Sequence, residues 1–258
     1  MPASMKIAVA GATGRVGHHV VELLEAAGHD VVRMSRTHGV DVITGEGLDE
    51  ALSGVECIVD TATGPSPDER EATEFFTTAT RNLQQAGARA GVQRIVLVSI
   101  IGVDRFTGGY QRAKAVHERA MLAGPIPARI LRAAQFHEFV GELMDWGTQG
   151  DVSYVWPMRT QLVAARAVAE ALADLATDPA SVPGPIREIA GPREERLVEM
   201  ARLLAARRGH PQRVEESPPS NPDDELLGSG ALLPGPDATL AGPTFEAWLD
   251  EVAAGAYS

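Results

Sequence analysis

The chain has 258 residues, 44% of them hydrophobic, which is enough for one large α/β domain or a domain with a small lobe. Its formal net charge of −12 argues against a nucleic acid as partner, and no apolar run of about 18 residues predicts a membrane span. Cys57 is the only cysteine and Met1–Met5 lacks the pattern of a secretory signal, so we expect a reducing, cytoplasmic compartment.

The first predicted element is a strand, a glycine-rich turn and a helix. Lys6–Ala10 is typical of a buried strand, and Arg15–Ala27 has apolar residues at helical spacing. Gly11 permits a tight turn, Gly14 lets the backbone approach a pyrophosphate, and Gly17 allows close packing of helix and strand. The first gap is one residue longer than in the fingerprint G-x-G-x-x-G. The predicted dinucleotide contacts are Gly11, Thr13, Gly14, Arg15, Val16 and Gly17.

Strand and helix patterns alternate through the first half of the chain. The predicted strands are Lys6–Ala10, Asp30–Met34, Cys57–Asp60, Arg94–Ser99 and Ala128–Leu131, and the predicted helices are Arg15–Ala27, Leu48–Leu52, Asp68–Ala90 and Arg112–Ala123. Such alternation is typical of an α/β fold with a Rossmann-like, doubly wound parallel sheet and helices on both faces. Because ligands of these sheets bind beyond the carboxyl ends of the strands, we expect functional residues just after each strand.

The second half is less regular and predicts a small C-terminal substrate lobe. We expect helices at Phe136–Trp146, Ala165–Thr177 and Glu195–Arg208, strands at Asp151–Trp156 and Ile186–Ala190, and a last short helix around Phe245–Leu249. The Pro- and Gly-rich segment His210–Pro243 predicts a long loop over the substrate side or a partly disordered segment. We divide the chain into a dinucleotide-binding core at 1–134 and an interleaved substrate-binding lobe at 135–258, within one structural unit.

The end of the second predicted strand indicates which cofactor is bound. Val31–Arg36 contains no carboxylate for the ribose 2′-hydroxyl of NAD. Ser35 and Arg36 can instead bind a 2′-phosphate, and Arg15 can approach the same group. We therefore expect NADP(H) in preference to NAD(H), although Arg33 and Arg36 could also form a solvated basic edge.

Two further pairs of residues are expected to contact the cofactor by position. Asp41 and Val42 follow a short third strand, near the expected adenine. Thr61 and Ala62 follow the next strand, Cys57–Asp60, over the middle of the cofactor.

Tyr110 and Lys114 are the candidate catalytic pair. On a helix, residues four apart share a face with their Cβ atoms about 5–6 Å from each other. A nearby ammonium lowers the pKa of a phenol, which could then give a proton to a carbonyl oxygen. Ser99 ends the Arg94–Ser99 strand, where its hydroxyl could hold the substrate oxygen. The alternative is an exposed tyrosine beside an exposed lysine.

The glycine-rich turn, Ser99 and Tyr110-x-x-x-Lys114 together resemble the short-chain dehydrogenase/reductase superfamily. Within it the chain resembles the atypical, NmrA-like, NAD(P)-binding branch, also through Val96–Asp104 and Ile130–Glu138. The resemblance implies that Lys114 binds the nicotinamide ribose and that Tyr110 is the acid/base with Ser99 as its helper. It also implies nicotinamide contacts from Ala133, Ala134 and Gln135.

Phe136 and His137 follow the fifth strand and are candidates for the substrate pocket, where His137 could orient the substrate or act as a second acid/base. A local hydrogen bond at a helix start is the alternative for His137. The sequence shows neither metal-ligand spacing nor the G-x-S-x-G of hydrolases.

The leading interpretation is an NADPH-dependent reductase of a small carbonyl, enone or quinone. The alternatives are a non-catalytic NADP(H)-binding redox sensor, and an epimerase or dehydratase that acts on a sugar nucleotide with NAD. The sequence leaves the substrate, the reaction direction and the oligomeric state open.

Overall fold

The computed structural model describes residues 4–178 and 184–255. Its strands are β1 (Lys6–Ala10), β2 (Asp30–Met34), β3 (Cys57–Asp60), β4 (Arg94–Ile100), β5 (Ala128–Ala133), β6 (Thr148–Gln149), β7 (Val152–Val155), β8 (Arg159–Thr160), β9 (Ile186–Ala190), β10 (Glu195–Arg196), β11 (Arg213–Glu216) and β12 (Thr239–Leu240). Its α-helices are α1 (Gly17–Ala26), α2 (Leu48–Ala51), α3 (Glu69–Ala90), α4 (Gly109–Leu122), α5 (Phe139–Trp146), α6 (Ala165–Thr177), α7 (Leu197–Arg208), α8 (Pro222–Ser229) and α9 (Phe245–Ala253). Short 3-10 helices lie at Arg36–His38 and Val103–Arg105.

A seven-stranded sheet has the order β12-β9-β5-β4-β3-β1-β2, which confirms the predicted doubly wound parallel sheet. β1 pairs in parallel with β2 on one side and with β3 on the other. The chain therefore changes direction along the sheet at β1, and such a switch point is where sheets of this class bind ligands. Two smaller sheets have the orders β10-β8 and β11-β7-β6. No helix within 4–178 and 184–255 is long and apolar enough to cross a membrane.

The chain forms two compact units. The first contains Met1–Ser99, Thr107–Arg132 and Val168–Arg187, and the second contains Ile100–Phe106, Ala133–Ala167 and Glu188–Ser258. The sequence analysis placed the boundary between the core and an interleaved lobe at 134/135. The structure differs because Val168–Arg187 belongs with the first unit and Ile100–Phe106 with the second.

The core of the first unit lies against the buried strands. Every residue of β3 is buried, as expected for a parallel strand that is covered on both faces. Its Ile58 joins a cluster that includes Ala8, Ile95 and Leu83. α3 begins where the Asp68 side chain accepts a hydrogen bond from the Glu71 amide. Its buried face is Ala72, Phe76, Ala79, Thr80, Leu83, Gln84, Ala86 and Gly87.

α3 also fixes the start of α4 within the first unit. Glu69 Oε2 accepts a hydrogen bond of 2.9 Å from the Gly109 amide, and Glu69 Oε1 lies 3.2 Å from Arg112 Nε. α4 therefore begins at Gly109, before the predicted start at Arg112, and Tyr110 lies in its first turn.

Two predictions about chain segments are wrong. The predicted short third strand between β2 and Asp41 is not present: that segment contains the 3-10 helix Arg36–His38, which Gly39 ends with φ +75°. The segment His210–Pro243 is not one long loop, because it contains β11, α8 and β12. β11 forms by pairing with β7, and α8 begins where the Asn221 side chain caps the Asp224 amide.

Candidate functional site

The first unit brings the ends of four neighbouring strands to one edge of the sheet. Ala10 pairs with Met34 of β2 and with Asp60 of β3, and Asp60 pairs in turn with Leu97 of β4. Gly11, Ser35 and Thr61 directly follow the first three of these positions, and Ser99 lies two residues after Leu97. Because the strands are parallel, all four lie at the carboxyl edge where the sequence predicted a site.

The glycine turn is a close-packed cradle in which two positions exclude a side chain. Gly11 has φ +76°, and its amide donates to the Met34 carbonyl at 3.0 Å. A Cβ at Gly17 would lie 2.1 Å from the Gly11 carbonyl oxygen and 2.7 Å from Thr61 Oγ1. Thr61 Oγ1 itself donates to the Ala10 carbonyl at 2.7 Å. α1 can therefore start directly behind the turn only because residue 17 lacks a side chain.

The start of α1 is suited to an anion. Its N-cap Val16 offers no capping side chain, and its first turn contains no acidic residue. No carboxylate thus neutralises the positive end of the helix dipole, which can attract phosphate oxygens. Thr13, Gly14 and Arg15 are the exposed residues of the turn that leads into this helix. The geometry fits the predicted pyrophosphate site.

Ser35 and Arg36 begin the short helical turn after β2. Ser35 Oγ lies 2.8 Å from Thr37 Oγ1 and 2.7 Å from His38 Nδ1, so three polar side chains converge there. Arg36 is exposed, whereas Arg33 is held by Glu25 at 2.8 Å. The hydroxyls and the Arg36 guanidinium can bind a phosphate, but the Arg33 guanidinium is already paired.

Asp41, Val42 and Ala62 make local structural contacts. Asp41 Oδ1 accepts from the Ile43 amide at 2.7 Å, and the Val42 carbonyl accepts from Asn82 Nδ2 at 2.9 Å. The Ala62 amide donates to Asp60 Oδ1 at 3.0 Å. Their contact with a cofactor stays a prediction.

Tyr110 is packed and hydrogen-bonded rather than exposed. Its hydroxyl lies 3.1 Å from Thr63 Oγ1, and its ring contacts Phe76 edge-on at 5.8 Å between centroids. Burial raises the pKa of Tyr110 above its usual value, and the hydrogen bond with Thr63 only partly offsets this. The expected lowering of the Tyr110 pKa by Lys114 is therefore wrong.

Lys114 turns its ammonium into the interior of the first unit. Nζ donates to the Val98 carbonyl at 2.9 Å, lies 3.2 Å from His117 Nδ1 and stands 4.6 Å from the centre of the Phe76 ring. Burial lowers the pKa of Lys114 to about 8, against the opposing attraction of Asp60 and Glu118. Helical spacing predicted a shared face with Tyr110 but not this orientation.

His117 and Asp60 are residues that the sequence analysis missed. The His117 ring stacks on Phe76, with centroids 4.4 Å apart and planes at 12°. Its Nε2 lies 3.5 Å from Asp60 Oδ2, and both residues are 1% exposed. Burial, and then the Lys114 charge, lower the pKa of His117. Two signals were available: His117 is three residues after Lys114 on α4, and Asp60 is a charged residue at the end of an apolar strand.

Glu118 and Arg132 form a second buried pair in the first unit. The Arg132 Nε and Nη2 atoms donate to the two carboxylate oxygens of Glu118 at 2.9 and 2.7 Å. This bidentate geometry satisfies a carboxylate that lies one residue after His117. The pair ties α4 to β5.

Ser99 lies near the end of β4, one residue after the Val98 carbonyl that accepts from Lys114. It is 2% exposed, and its Oγ has no hydrogen-bond partner among residues 4–178 and 184–255. A buried hydroxyl of this kind is unusual and retains its capacity to donate. Its contact with a substrate oxygen stays a prediction.

The predicted nicotinamide contacts Ala133, Ala134 and Gln135 belong to the second unit. Backbone hydrogen bonds within that unit hold Ala134 and Gln135. The Ala134 amide donates to the Ile189 carbonyl at 2.9 Å, and the Gln135 carbonyl accepts from Val163 at 3.0 Å. Ala133 is buried and Phe136 is half-buried. Their roles toward cofactor and substrate stay predictions.

His137 has a structural role within the second unit. Its Nε2 lies 3.1 Å from the Pro243 carbonyl, and its ring packs against Phe245 and Trp248 at 5.4 and 5.5 Å. Burial lowers the pKa of His137 to about 4. A neutral imidazole thus contacts the segment that leads into α9, 106 residues further along the chain, and this side-chain contact is not the local hydrogen bond that the sequence analysis gave as the alternative.

No group of three or more metal-binding side chains occurs in the part of the chain that the structure describes. Residues 11–179 match a family described as NAD(P)H-binding. No curated protein matches the sequence.

Several solved structures share the fold over nearly the whole chain. MoeE5, in complex with UDP-glucose and NAD, is 19% identical over 98% of this chain and 100% of that chain, with a TM-score of 0.69. WbmG of Bordetella bronchiseptica, in complex with NAD, is 15% identical over 99% and 95%, with a TM-score of 0.70. UDP-N-acetylglucosamine 4-epimerase of Bacillus cereus is 19% identical over 96% and 95%, with a TM-score of 0.69. At these identities the likeness establishes the fold.

Proposed function

Because the chain belongs to the NAD(P)H-binding family, we propose that it is an NADPH-dependent reductase of a small carbonyl compound, enone or quinone. The observation that carries the proposal is the carboxyl edge of the first unit. There the glycine turn follows β1, Ser35 follows β2 and Ser99 lies near the end of β4. Tyr110 and Lys114 on α4 lie one turn apart, and Lys114 is bonded to β4.

The residues at this edge fit a dinucleotide. The Gly11 carbonyl occupies the space that a Cβ at Gly17 would fill, so the turn stays tight and α1 begins directly behind it, as a pyrophosphate site requires. Ser35, Thr37, His38 and Arg36 present hydroxyl, imidazole and guanidinium groups where the 2′-position of the adenosine ribose is expected. No carboxylate follows β2 at this point, and we therefore favour NADP(H) over NAD(H).

The bound dinucleotide supplies the hydride, and the chain supplies the proton and the positioning. Since its pKa is raised, the Tyr110 phenol is protonated at neutral pH, which is the state that a proton donor in a reduction requires. Ser99 Oγ can donate a hydrogen bond to the substrate oxygen as negative charge develops there. Val98 and His117 occupy two of the three N–H groups of the Lys114 ammonium, and the third would bind the nicotinamide ribose.

The proposal is tested by titration calorimetry with NADP⁺ and NAD⁺, followed by the loss of NADPH absorbance with a panel of aldehydes, ketones, enones and quinones. We expect tighter binding of NADP⁺ and turnover of at least one class. Tyr110→Phe serves as the matched control that should bind NADP⁺ and reduce little. Tight binding of NADP⁺ with no oxidation of NADPH across the panel would favour the redox sensor instead.

A nucleotide-sugar enzyme is the second candidate, favoured by the fold shared with MoeE5 and with the Bacillus cereus epimerase. It predicts NAD⁺ that copurifies with the protein and a UDP-sugar that protects the chain from thermal unfolding. The side chains after β2 favour the reductase, because Ser35 and Arg36 provide no acceptor carboxylate for the 2′-hydroxyl of NAD. Release of the bound nucleotide by heat and its identification by mass spectrometry would separate the two.

A further inference from the structure

Three buried polar side chains of the first unit form a continuous line from β3 to α4 and β4. Asp60 Oδ2 lies 3.5 Å from His117 Nε2, and His117 Nδ1 lies 3.2 Å from Lys114 Nζ. Lys114 Nζ then donates to the Val98 carbonyl at 2.9 Å. Phe76 covers the line, with its ring parallel to the imidazole and 4.6 Å from the ammonium. The line is therefore largely shielded from water: Asp60 and His117 are 1% exposed and Lys114 is 5% exposed.

The chemistry of lysine sets the direction of every hydrogen bond in this line. An ammonium has three N–H donors and no acceptor, so the His117 atom that faces it must offer a lone pair. His117 Nδ1 is thus unprotonated, and the proton of the neutral ring lies on Nε2. That N–H faces the carboxylate of Asp60 across a contact that is longer than an ordinary hydrogen bond and is mainly electrostatic.

The other charged groups near the line do not compete for His117. Glu118, the next residue on α4, is held by both donor atoms of Arg132. Tyr110 on the same helix is hydrogen-bonded to Thr63. Asp60 is therefore the carboxylate that orients the ring, and its other oxygen is fixed by the Ala62 amide at 3.0 Å.

We propose that His117 is a positioning residue for Lys114, with Asp60 fixing the tautomer that lets its Nδ1 hold the ammonium. Val98 and His117 take two of the three N–H groups of Lys114, and the third is left for a ribose hydroxyl. The inference rests on the proposed role of Lys114 in binding the cofactor ribose. It adds a reason for the orientation of that lysine, which neither the Tyr110-x-x-x-Lys114 pattern nor the likeness to other structures supplies.

The tautomer can be measured directly in the wild-type, cofactor-free chain. Long-range proton–nitrogen NMR correlations distinguish an imidazole protonated on Nε2 from one protonated on Nδ1. We expect the Nε2–H form for His117 at neutral pH. The Nδ1–H form would overturn the proposal, because that nitrogen could not accept from Lys114.

The composition of the chain makes a second measurement simple. Lys6 and Lys114 are the only lysines, so a protein labelled at lysine gives two side-chain NMR signals. Lys6, whose Nζ lies at the exposed Ser53 carbonyl, is the internal reference. We expect the Lys114 signal to titrate near pH 8, and at a lower pH in both His117→Phe and Asp60→Asn. His117→Phe keeps the ring against Phe76 and removes the acceptor.

The matched rescue is His117→Asn, whose amide oxygen can replace Nδ1 as the acceptor. Loss of one hydrogen bond to a charged group predicts about tenfold weaker NADP⁺ binding in His117→Phe, with partial recovery in His117→Asn. An unchanged Lys114 titration in folded His117→Phe or Asp60→Asn would reject the positioning role. A wild-type chain that binds no NADP⁺ would reject the proposed function alone, because the tautomer and the titration are measured without cofactor.

Discussion

Lys114 Nζ and the Val98 carbonyl are joined by a hydrogen bond of 2.9 Å, which ties the side chain of α4 to the backbone of β4. The bond holds the ammonium in the interior of the first unit. Its acceptor, Val98, is the residue before Ser99. It also separates the ammonium from bulk water, and this desolvation lowers its pKa to about 8. Lys114 is therefore a group whose charge changes within an accessible pH range.

Cofactor affinity should depend on the charge of Lys114. The side chain is protonated below its pKa of about 8. As the pH rises through that value, it loses its positive charge and one N–H donor. We expect the dissociation constant of NADP⁺, measured by calorimetry, to increase from neutral to alkaline pH. Lys114→Met should bind more weakly and lose this dependence. A wild-type affinity that is constant across the range would contradict the assigned role.

Gly17→Ala should disrupt the turn, because the added Cβ would lie 2.1 Å from the Gly11 carbonyl oxygen. Overpacking of this kind costs about 1–3 kcal/mol of the free energy of unfolding, measured in urea. NADP⁺ binding should be lost as the turn opens. Gly235→Ala is the control, since its Cβ would lie 3.3 Å from the flexible Glu188 carboxylate. Wild-type affinity in Gly17→Ala would show that the turn does not bind the cofactor.

Tyr110→Phe should remove the proton donor and leave the ring contact with Phe76 intact. We expect kcat to fall by about 100-fold or more, with the NADP⁺ dissociation constant little changed. The lost bond to Thr63 should cost about 0.5–1.5 kcal/mol of the free energy of unfolding. Tyr154→Phe, on the exposed face of β7, is the matched control. Full turnover by Tyr110→Phe would assign the proton to another group.

Arg36→Ala should weaken NADPH binding by about tenfold or more and leave NADH binding unaffected, because only the former has a 2′-phosphate to pair with the guanidinium. Arg33→Ala is the matched control: Arg33 is two residues from Ser35 but is already paired with Glu25 at 2.8 Å. Affinities for the two nucleotides by calorimetry decide the point. Equal losses for NADPH and NADH would place Arg36 away from the 2′-phosphate.

His137 should make the chain sensitive to acid. Its folded-state pKa of about 4 is below the 6.5 of an unfolded histidine, so the unfolded state binds more protons between these values. The free energy of unfolding should fall as the pH is lowered from about 6.5 to about 4. His117, whose pKa is also lowered, acts in the same direction. His137→Phe should be less stable at neutral pH, because the Pro243 bond is lost, with a shallower acid dependence. If the free energy of unfolding of His137→Phe has the same pH dependence as that of the wild type, His137 does not contribute to the acid sensitivity.

The strands of the first unit and the family were accessible from the sequence. β1, β2 and β3 have the predicted bounds. The apolar runs of β1 and β3, which are almost wholly buried, leave a strong local pattern. Membership of the NAD(P)H-binding family is confirmed by the match over residues 11–179. The short elements within His210–Pro243 were missed, because β11 exists by virtue of pairing with β7 rather than through its own periodicity.

The sequence by itself determined the glycine turn and the shared helical face of Tyr110 and Lys114, because both follow from backbone geometry over a few neighbouring residues. Tertiary structure alone decided the partners of those side chains. Packing of α3 on α4 buried Tyr110 and raised its pKa, and the approach of β3 brought Asp60 to His117. Desolvation and pairing depend on elements that are distant in the chain, so no local pattern encodes them.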